Sequence, residues 1–216
     1  MYLVEGNIGA GKSTFLQLIK NQLPHLEIAF EPINIWHTAE HGKSLLQNFY
    51  TDTKRWAYTM ENFTLINRTF ENSKINHGAT TLAERSIYSG YYCFAKNSYL
   101  SGFMNKLEWV IYEKWFKFLT SHTSYPQPSG FIYLRTTPSA AYNRIIKRGR
   151  QAENLISFDY VNQIHLRHEE LLLSHNQTEL HTTAPVLILD ANVDFENEPS
   201  ALANMALQLQ AFIRNN

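Results

Sequence analysis

The sequence predicts an α/β fold, a five-stranded parallel sheet flanked by helices, and three observations predict it. Five short apolar runs, at 2–5, 27–30, 80–83, 131–134 and 186–189, are rich in the residues that fill buried strands. Longer stretches with helical periodicity separate them, and that alternation calls for helices on both faces of a parallel sheet. Between the first run and the first helical stretch stands Gly6-Asn7-Ile8-Gly9-Ala10-Gly11-Lys12-Ser13-Thr14, which fits the phosphate-binding pattern G-x-x-x-x-G-K-[ST] at every fixed position.

Each element follows from local chemistry. The glycines of the loop let the backbone curl until its N–H groups face inward, Lys12 adds a mobile positive charge, and the helix over 13–21 aims its positive dipole end at the bound anion. The Ser13 hydroxyl is placed to hold Mg²⁺. The second strand ends in Glu31-Pro32, and a long helix is predicted over 55–72. The third strand ends in Glu84-Arg85-Ser86, followed by a helix over 105–119 and a surface connection over 121–130 that carries two prolines. The fourth strand leads into a helix over 138–147, opened by Pro138 and closed by Gly149. A helix over 160–173 precedes the fifth strand, which ends in Asp190 with Asp194-Phe195 just beyond, and a last helix covers 201–213. In open parallel sheets ligands sit outside the carboxyl ends of the strands, so these strand-end residues are the candidates for chemistry.

The 216 residues suffice for one good core, and the whole chain, 1–216, is expected to form one domain with a mobile segment at about 144–155. Nineteen basic and nineteen acidic side chains cancel, so no broad electrostatic footprint for nucleic acid or an anionic membrane is expected. The single cysteine, Cys93, makes neither an internal disulfide nor a thiolate cluster, reads as core filling, and fits a reducing compartment. No apolar run has the length of a membrane span, and the first strand starts at Tyr2 without room for a leader; the expectation is a cytoplasmic protein.

Glu31 should emerge beside the phosphate loop, where a carboxylate could accept the proton of a hydroxyl that attacks a γ-phosphate. Its place before a proline equally fits a cap or a surface carboxylate. Glu84 and Arg85 offer a carboxylate for the Mg²⁺ shell and a guanidinium for the charge on a transferred phosphoryl group, or simply a solvated pair. Arg144, Lys147, Arg148 and Arg150, with Glu153 after them, could form a cationic lid, although cations at a helix C-terminus are favourable without any ligand. Of the many aromatics before residue 95, most belong to the core and a few should stack on a flat heterocycle. Glu61 and Arg68, seven residues apart, can share one helix face.

Taken in order, the phosphate loop, Glu31-Pro32 with Trp36, Arg55-Trp56, Glu84-Arg85-Ser86-Ile87-Tyr88-Ser89, Glu108-Trp109 and 144–150 resemble the deoxyribonucleoside kinases, over nearly the whole chain. The resemblance implies the P-loop kinase fold with an arginine-rich lid, and transfer of the γ-phosphate of ATP to the 5′-hydroxyl of a deoxynucleoside in nucleotide salvage. It also implies catalytic roles for Glu31 as base, Arg85 beside the 5′-oxygen and Lys12 on the phosphates, with Ser13 and Glu84 at Mg²⁺. ATP would further contact the loop from Gly6 to Thr14, the lid arginines Arg144, Arg148 and Arg150, and Asp194-Phe195. The deoxynucleoside would meet Glu31, Ile33, Trp36, Phe49, Tyr50, Met60, Glu61, Arg68, Arg85, Gly90, Phe94 and Glu153, with Tyr50 and Glu153 on the sugar 3′-hydroxyl. Relatives are usually dimers, and the helices over 55–72 and 105–119 carry apolar faces that could form such an interface or pack in the core.

Two departures concern the base. Glu61 stands where these kinases usually carry glutamine, and Gly90 where purine-accepting members often carry aspartate. An ionised glutamate only accepts, which matches the adjacent N–H donors of guanine, with Arg68 balancing the charge, and Gly90 is expected to leave room for a purine. Tyr91, where an arginine is common, has no functional account. A nucleoside monophosphate kinase would need cations rather than Glu31 beside its anionic acceptor. A non-catalytic nucleotide-binding assembly subunit would be expected to have lost the catalytic side chains present here.

Overall fold

A computed structural model describes residues 1–37, 43–75, 78–121, 125–173 and 184–216. Five strands form one sheet in the order β2-β3-β1-β4-β5, every neighbouring pair parallel. They are β1 (Tyr2–Glu5), β2 (Glu27–Ala29), β3 (Thr81–Glu84), β4 (Gly130–Arg135) and β5 (Val186–Asp190). Each predicted strand is present, with ends moved by a residue: β2 stops before Phe30, which is exposed, and β3 runs on through Glu84. β1 and β3 are buried along their whole length, whereas β2 and β5, at the edges, are partly open.

Helices cover both faces. They are α1 (Lys12–Gln22), α2 (Asn34–His37), α3 (Leu45–Thr51), α4 (Thr53–Ser73), α5 (Ile87–Ser89), α6 (Lys96–Leu100), α7 (Lys106–Ser121), α8 (Pro138–Arg148), α9 (Phe158–Leu173) and α10 (Pro199–Asn215). A π-helix, Gly90–Ala95, joins α5 to α6. The six helices predicted from periodicity are α1, α4, α7, α8, α9 and α10. The short ones escaped because one or two turns carry too little periodicity to read. α3 nevertheless has a sequence signature: Ser44 caps it, accepting from the Gln47 N–H at 3.2 Å, while the Gln47 side chain accepts from the Ser44 N–H at 2.9 Å. α8 is bounded as predicted, by Pro138 at one end and by Gly149 in the left-handed region, φ 62°, at the other, and the Thr137 hydroxyl caps it by accepting from the Ala140 N–H.

Because side chains alternate across a strand, consecutive residues feed opposite cores. Val4 and Ile132 pack with Phe15 and Leu16 of α1 and with Leu202 and Leu209 of α10; Leu3 and Phe131 pack with Leu65 of α4 and with Tyr112 and Phe116 of α7. Cys93 is buried in the second of these cores. The connection predicted at the surface is not wholly so: residues 122–124 lie outside the described residues, but Tyr125 is buried, its hydroxyl accepting from Asn72 at 2.8 Å. Tyr91 belongs to a stack of rings, 4.2 Å from Phe116 and 5.1 Å from Trp109, and its hydroxyl donates to Glu113. Among the described residues no helix is long and apolar enough to cross a membrane.

Candidate active site

The carboxyl ends of β1, β2 and β3 converge on a cleft of about 220 Å³. Its phosphate-loop wall is set by backbone geometry. Gly9 and Gly11 adopt φ of 78° and 89°, and a β-carbon on Gly9 would lie 2.3 Å from the Ala141 carbonyl oxygen. Asn7 ties the loop to α9, donating to the Val161 carbonyl at 2.9 Å and accepting from the Ile8 N–H. Ala10 is fully buried beneath the loop. Lys12 folds back to donate to the carbonyls of Gly6 and Asn7, at 3.1 and 2.9 Å. Burial, helped by Arg85, pushes its ammonium down to about 7 against the pull of Glu84 and Glu31.

Four charged side chains meet where the strands end. The Glu31 carboxylate is held by Arg68, at 2.6 and 3.0 Å, and by Arg85 at 3.3 Å. Burial alone would raise its pKa, but Arg68, then Arg85 and Lys12, bring it below the ordinary range, so the group is ionised. The Ser13 hydroxyl donates to Glu84 at 2.6 Å, and the other oxygen of Glu84 accepts from the Glu31 N–H at 3.3 Å. Arg85 is the one non-glycine residue with positive φ, 62°, among the described residues. That turn brings its guanidinium over the Phe94 ring, 4.6 Å away, and onto Glu31.

The structure brings Ile33, Trp36, Phe49, Tyr50, Met60, Glu61, Arg68, Phe94 and Glu153 to the same cleft. Glu153 accepts from Arg148 at 2.6 Å and from Arg150 at 3.5 Å, both of which also line the cleft. Arg144 instead donates to the Ala191 carbonyl at 2.8 Å and faces a neighbouring cavity with Gly9, Gly11, Asp194 and Phe195. Phe195 is buried under Gly11 and edge-on to Phe15; Asp194 accepts from Asn197. Arg144, Arg148 and Arg150 are thus tied to carboxylate or backbone, whereas Lys147 is exposed at the neighbouring cavity.

Three expectations about the base pocket need correction. Arg68 does not balance Glu61; both its grips are on Glu31, 37 positions away in the chain. With no ion-pair partner among the described residues, Glu61 is pushed up by burial to about 8, against the weaker pull of Arg68 and Arg85, so it is neutral at pH 7 rather than ionised. Gly90 does not widen the cleft either: it does not line it, and a β-carbon there would stand 2.9 Å from Arg68 Nη1. The missing side chain makes room for arginine, not for substrate.

Sequence reasoning missed four residues. Thr64 and Leu46 line the cleft, and Tyr160 does so edge-on to Tyr50, with centroids 6.2 Å apart. Thr64 was findable, one helical turn after Glu61 on the same face; Leu46 and Tyr160 carry no local signal. Glu5, last residue of β1, is fully buried and accepts from the Ser86 hydroxyl that also caps α5; burial raises its pKa.

Comparison with known proteins places this geometry. A family model described as deoxynucleoside kinase matches residues 2–214. Deoxycytidine kinase of Mus musculus is 34% identical over 92% of this chain and 86% of its own length. Deoxycytidine kinase 2 of Gallus gallus is 33% identical, over 97% of this chain and 89% of its own. A mitochondrial deoxyguanosine kinase of Xenopus laevis is 32% identical, over 97% and 88%.

Proposed function

The chain belongs to the deoxynucleoside kinase family, and on that premise we propose that it transfers the γ-phosphate of ATP to the 5′-hydroxyl of a deoxyribonucleoside, with purine, and deoxyguanosine first, as the favoured base. The observation that carries the reading is the ionised Glu31 carboxylate, fixed by two arginines within one cleft of the phosphate loop. Glu31 accepts the hydrogen bond of the 5′-hydroxyl and aims its oxygen at the phosphorus. Its low basicity suits phosphoryl transfer, in which the proton leaves late and positioning outweighs proton abstraction. Arg85 faces the same oxygen as charge develops, and Lys12, already curled into the loop, exchanges two carbonyls for phosphate oxygens. Tyr50 and Glu153 hold the sugar, Arg148 and Arg150 exchange Glu153 for the donor phosphates as the segment at about 144–155 closes, and Arg144 with Asp194-Phe195 borders the nucleotide base.

Ser13 and Glu84, a hydroxyl and a carboxylate 2.6 Å apart at the loop, form the hard oxygen pair that Mg²⁺ prefers. Bound there with ATP, the ion would neutralise phosphate charge. For the base, Glu61 is a buried carboxyl on the cleft wall whose carbonyl oxygen accepts from the ring N–H of guanine. We place the enzyme as a single-domain protein of the cytoplasm, in nucleotide salvage.

Exposed apolar side chains favour a homodimer. Ile66 and Phe70 on α4, and Leu107, Trp115 and Phe118 on the adjoining α7, are each about half exposed or more. Light scattering at micromolar concentration should give the mass of two chains; a one-chain mass removes the dimer. For the reaction, Glu31→Gln should cut kcat about 10³-fold while nucleoside affinity stays within a few-fold. Turnover near wild type removes Glu31 from its role.

A further inference from the structure

Glu5, the last residue of β1, is a fully buried acid that does not line the cleft. It stands directly before the phosphate loop, within the field of both Lys12 and Arg85. Its carboxyl accepts from the Ser86 hydroxyl, which is fully buried as well. That hydroxyl already accepts from the N–H groups of Tyr88 and Ser89, at 3.0 and 3.2 Å, so both its lone pairs are used and its one hydrogen is left to give. Glu5 takes it. Burial raises the Glu5 pKa, against Arg85, the Ser86 and Ser89 hydroxyls and Lys12.

Ser86 matters because it follows Arg85. Arg85 sits in the left-handed region, φ 62°, and a residue keeps such a conformation only where its surroundings over-determine it. β1 supplies both constraints. On one side of the turn the Arg85 N–H donates to the Val4 carbonyl at 2.9 Å; on the other, Glu5 fixes Ser86, the cap of α5. Without the second grip Ser86 would keep a buried hydrogen with no acceptor, and rotation of the turn would relieve both that penalty and the strain at Arg85. Such a rotation carries the guanidinium off Glu31, 3.3 Å away, and off the Phe94 ring.

We propose that Glu5 is a positioning residue for phosphoryl transfer: through Ser86 it holds the Arg85 turn in its strained form, and so sets the guanidinium against Glu31 and the reacting oxygen. Glu5 runs straight into Gly6, whose carbonyl accepts from Lys12 at 3.1 Å. One strand end therefore sets both the cation of the acceptor side and the start of the phosphate loop. The role asks for an acceptor, not a charge, and a glutamine oxygen takes the same hydrogen. The inference rests on the deoxynucleoside kinase reading, in particular on the part given to Arg85, and deepens it.

The test is a cycle of variants, Glu5→Met, Glu5→Gln, Arg85→Ala and Glu5→Met with Arg85→Ala, assayed by ADP formation with the natural deoxynucleoside that wild type uses best. Each kcat is referred to the ADP-binding sites titrated in the same preparation, so a partly folded variant still reports it. Glu5→Met, close in volume but without an acceptor, should lower kcat about 100-fold, as a misplacement of about 1 Å does, while KM for the deoxynucleoside stays within about threefold. Glu5→Gln should recover kcat to within about fivefold of wild type. On Arg85→Ala, adding Glu5→Met should change the residual kcat by less than about threefold, because the side chain it positions is gone. A Glu5→Met kcat near wild type, a Glu5→Gln as poor as Glu5→Met, or equal losses in both backgrounds overturns the positioning role alone. Turnover near wild type in Arg85→Ala overturns the part given to Arg85, and absence of ADP formation by wild type with all four natural deoxynucleosides overturns the kinase reading; either takes the inference with it.

Discussion

The two walls of the cleft are built from different materials. The phosphate wall is main chain: three glycines with positive φ, carbonyls that hold Lys12, and N–H groups at the start of α1. The base wall is side chain, with Glu61, Arg68 and Thr64 projecting from one helix and Arg85 from a strand end. A wall made of backbone fixes its ligand by the local run of residues and tolerates few changes. One made of side chains depends on which distant partner each finds, and one substitution can reassign it. Here Arg68, which shares a helix face with Glu61, pairs with Glu31 instead.

The contrast can be broken first at the backbone. Gly9→Ala must both occupy a left-handed conformation and displace the Ala141 carbonyl, so ADP binding should weaken about 100-fold or more, with deoxynucleoside affinity little changed. Calorimetric titration with each ligand checks this; equal losses for both would mean that the two walls are not separable. The side-chain wall should respond to pH instead. Below pH 7 Glu61→Gln should leave kcat/KM for deoxyadenosine and deoxycytidine within about threefold of wild type, because the neutral carboxyl already acts as an amide does. As pH rises through about 8, Glu61 ionises and loses its hydrogen. The wild type should then fall relative to Glu61→Gln, by about tenfold at pH 9.5. A ratio flat from pH 6.5 to 9.5 would mean that Glu61 does not titrate in this range.

The same division explains what could be read from the sequence. The sheet, the six long helices and the phosphate loop are specified by short-range patterns, and all were legible, to within a residue or two at their ends. Convergence of Glu31, Glu84 and Arg85 followed from one rule about strand ends. The pairing of Glu31 with Arg68 did not, because it depends on the angle at which α4 crosses the sheet edge, and spacing along a helix only shows that Glu61 and Arg68 share a face. The state of Glu61 depended in turn on that pairing. Gly90 was misread for a related cause: an absent side chain shows that space is cleared, but not which neighbour uses it.

Arg85 holds a conformation that L-residues avoid, at a cost of about 1–2 kcal/mol, in order to lay its guanidinium on Glu31. The strain of the turn and the ion pair it makes possible are therefore opposed at one peptide unit. Arg85→Ala and Arg85→Gly should both be nearly inactive, having lost the same cation, yet glycine meets the left-handed turn without strain. Chemical denaturation should find the glycine variant more stable than the alanine variant by about 1 kcal/mol, and equal stabilities would mean the turn is relaxed. A change to glycine would thus relax the turn and forfeit the two contacts, to Glu31 and to the Phe94 ring, that the turn sets up.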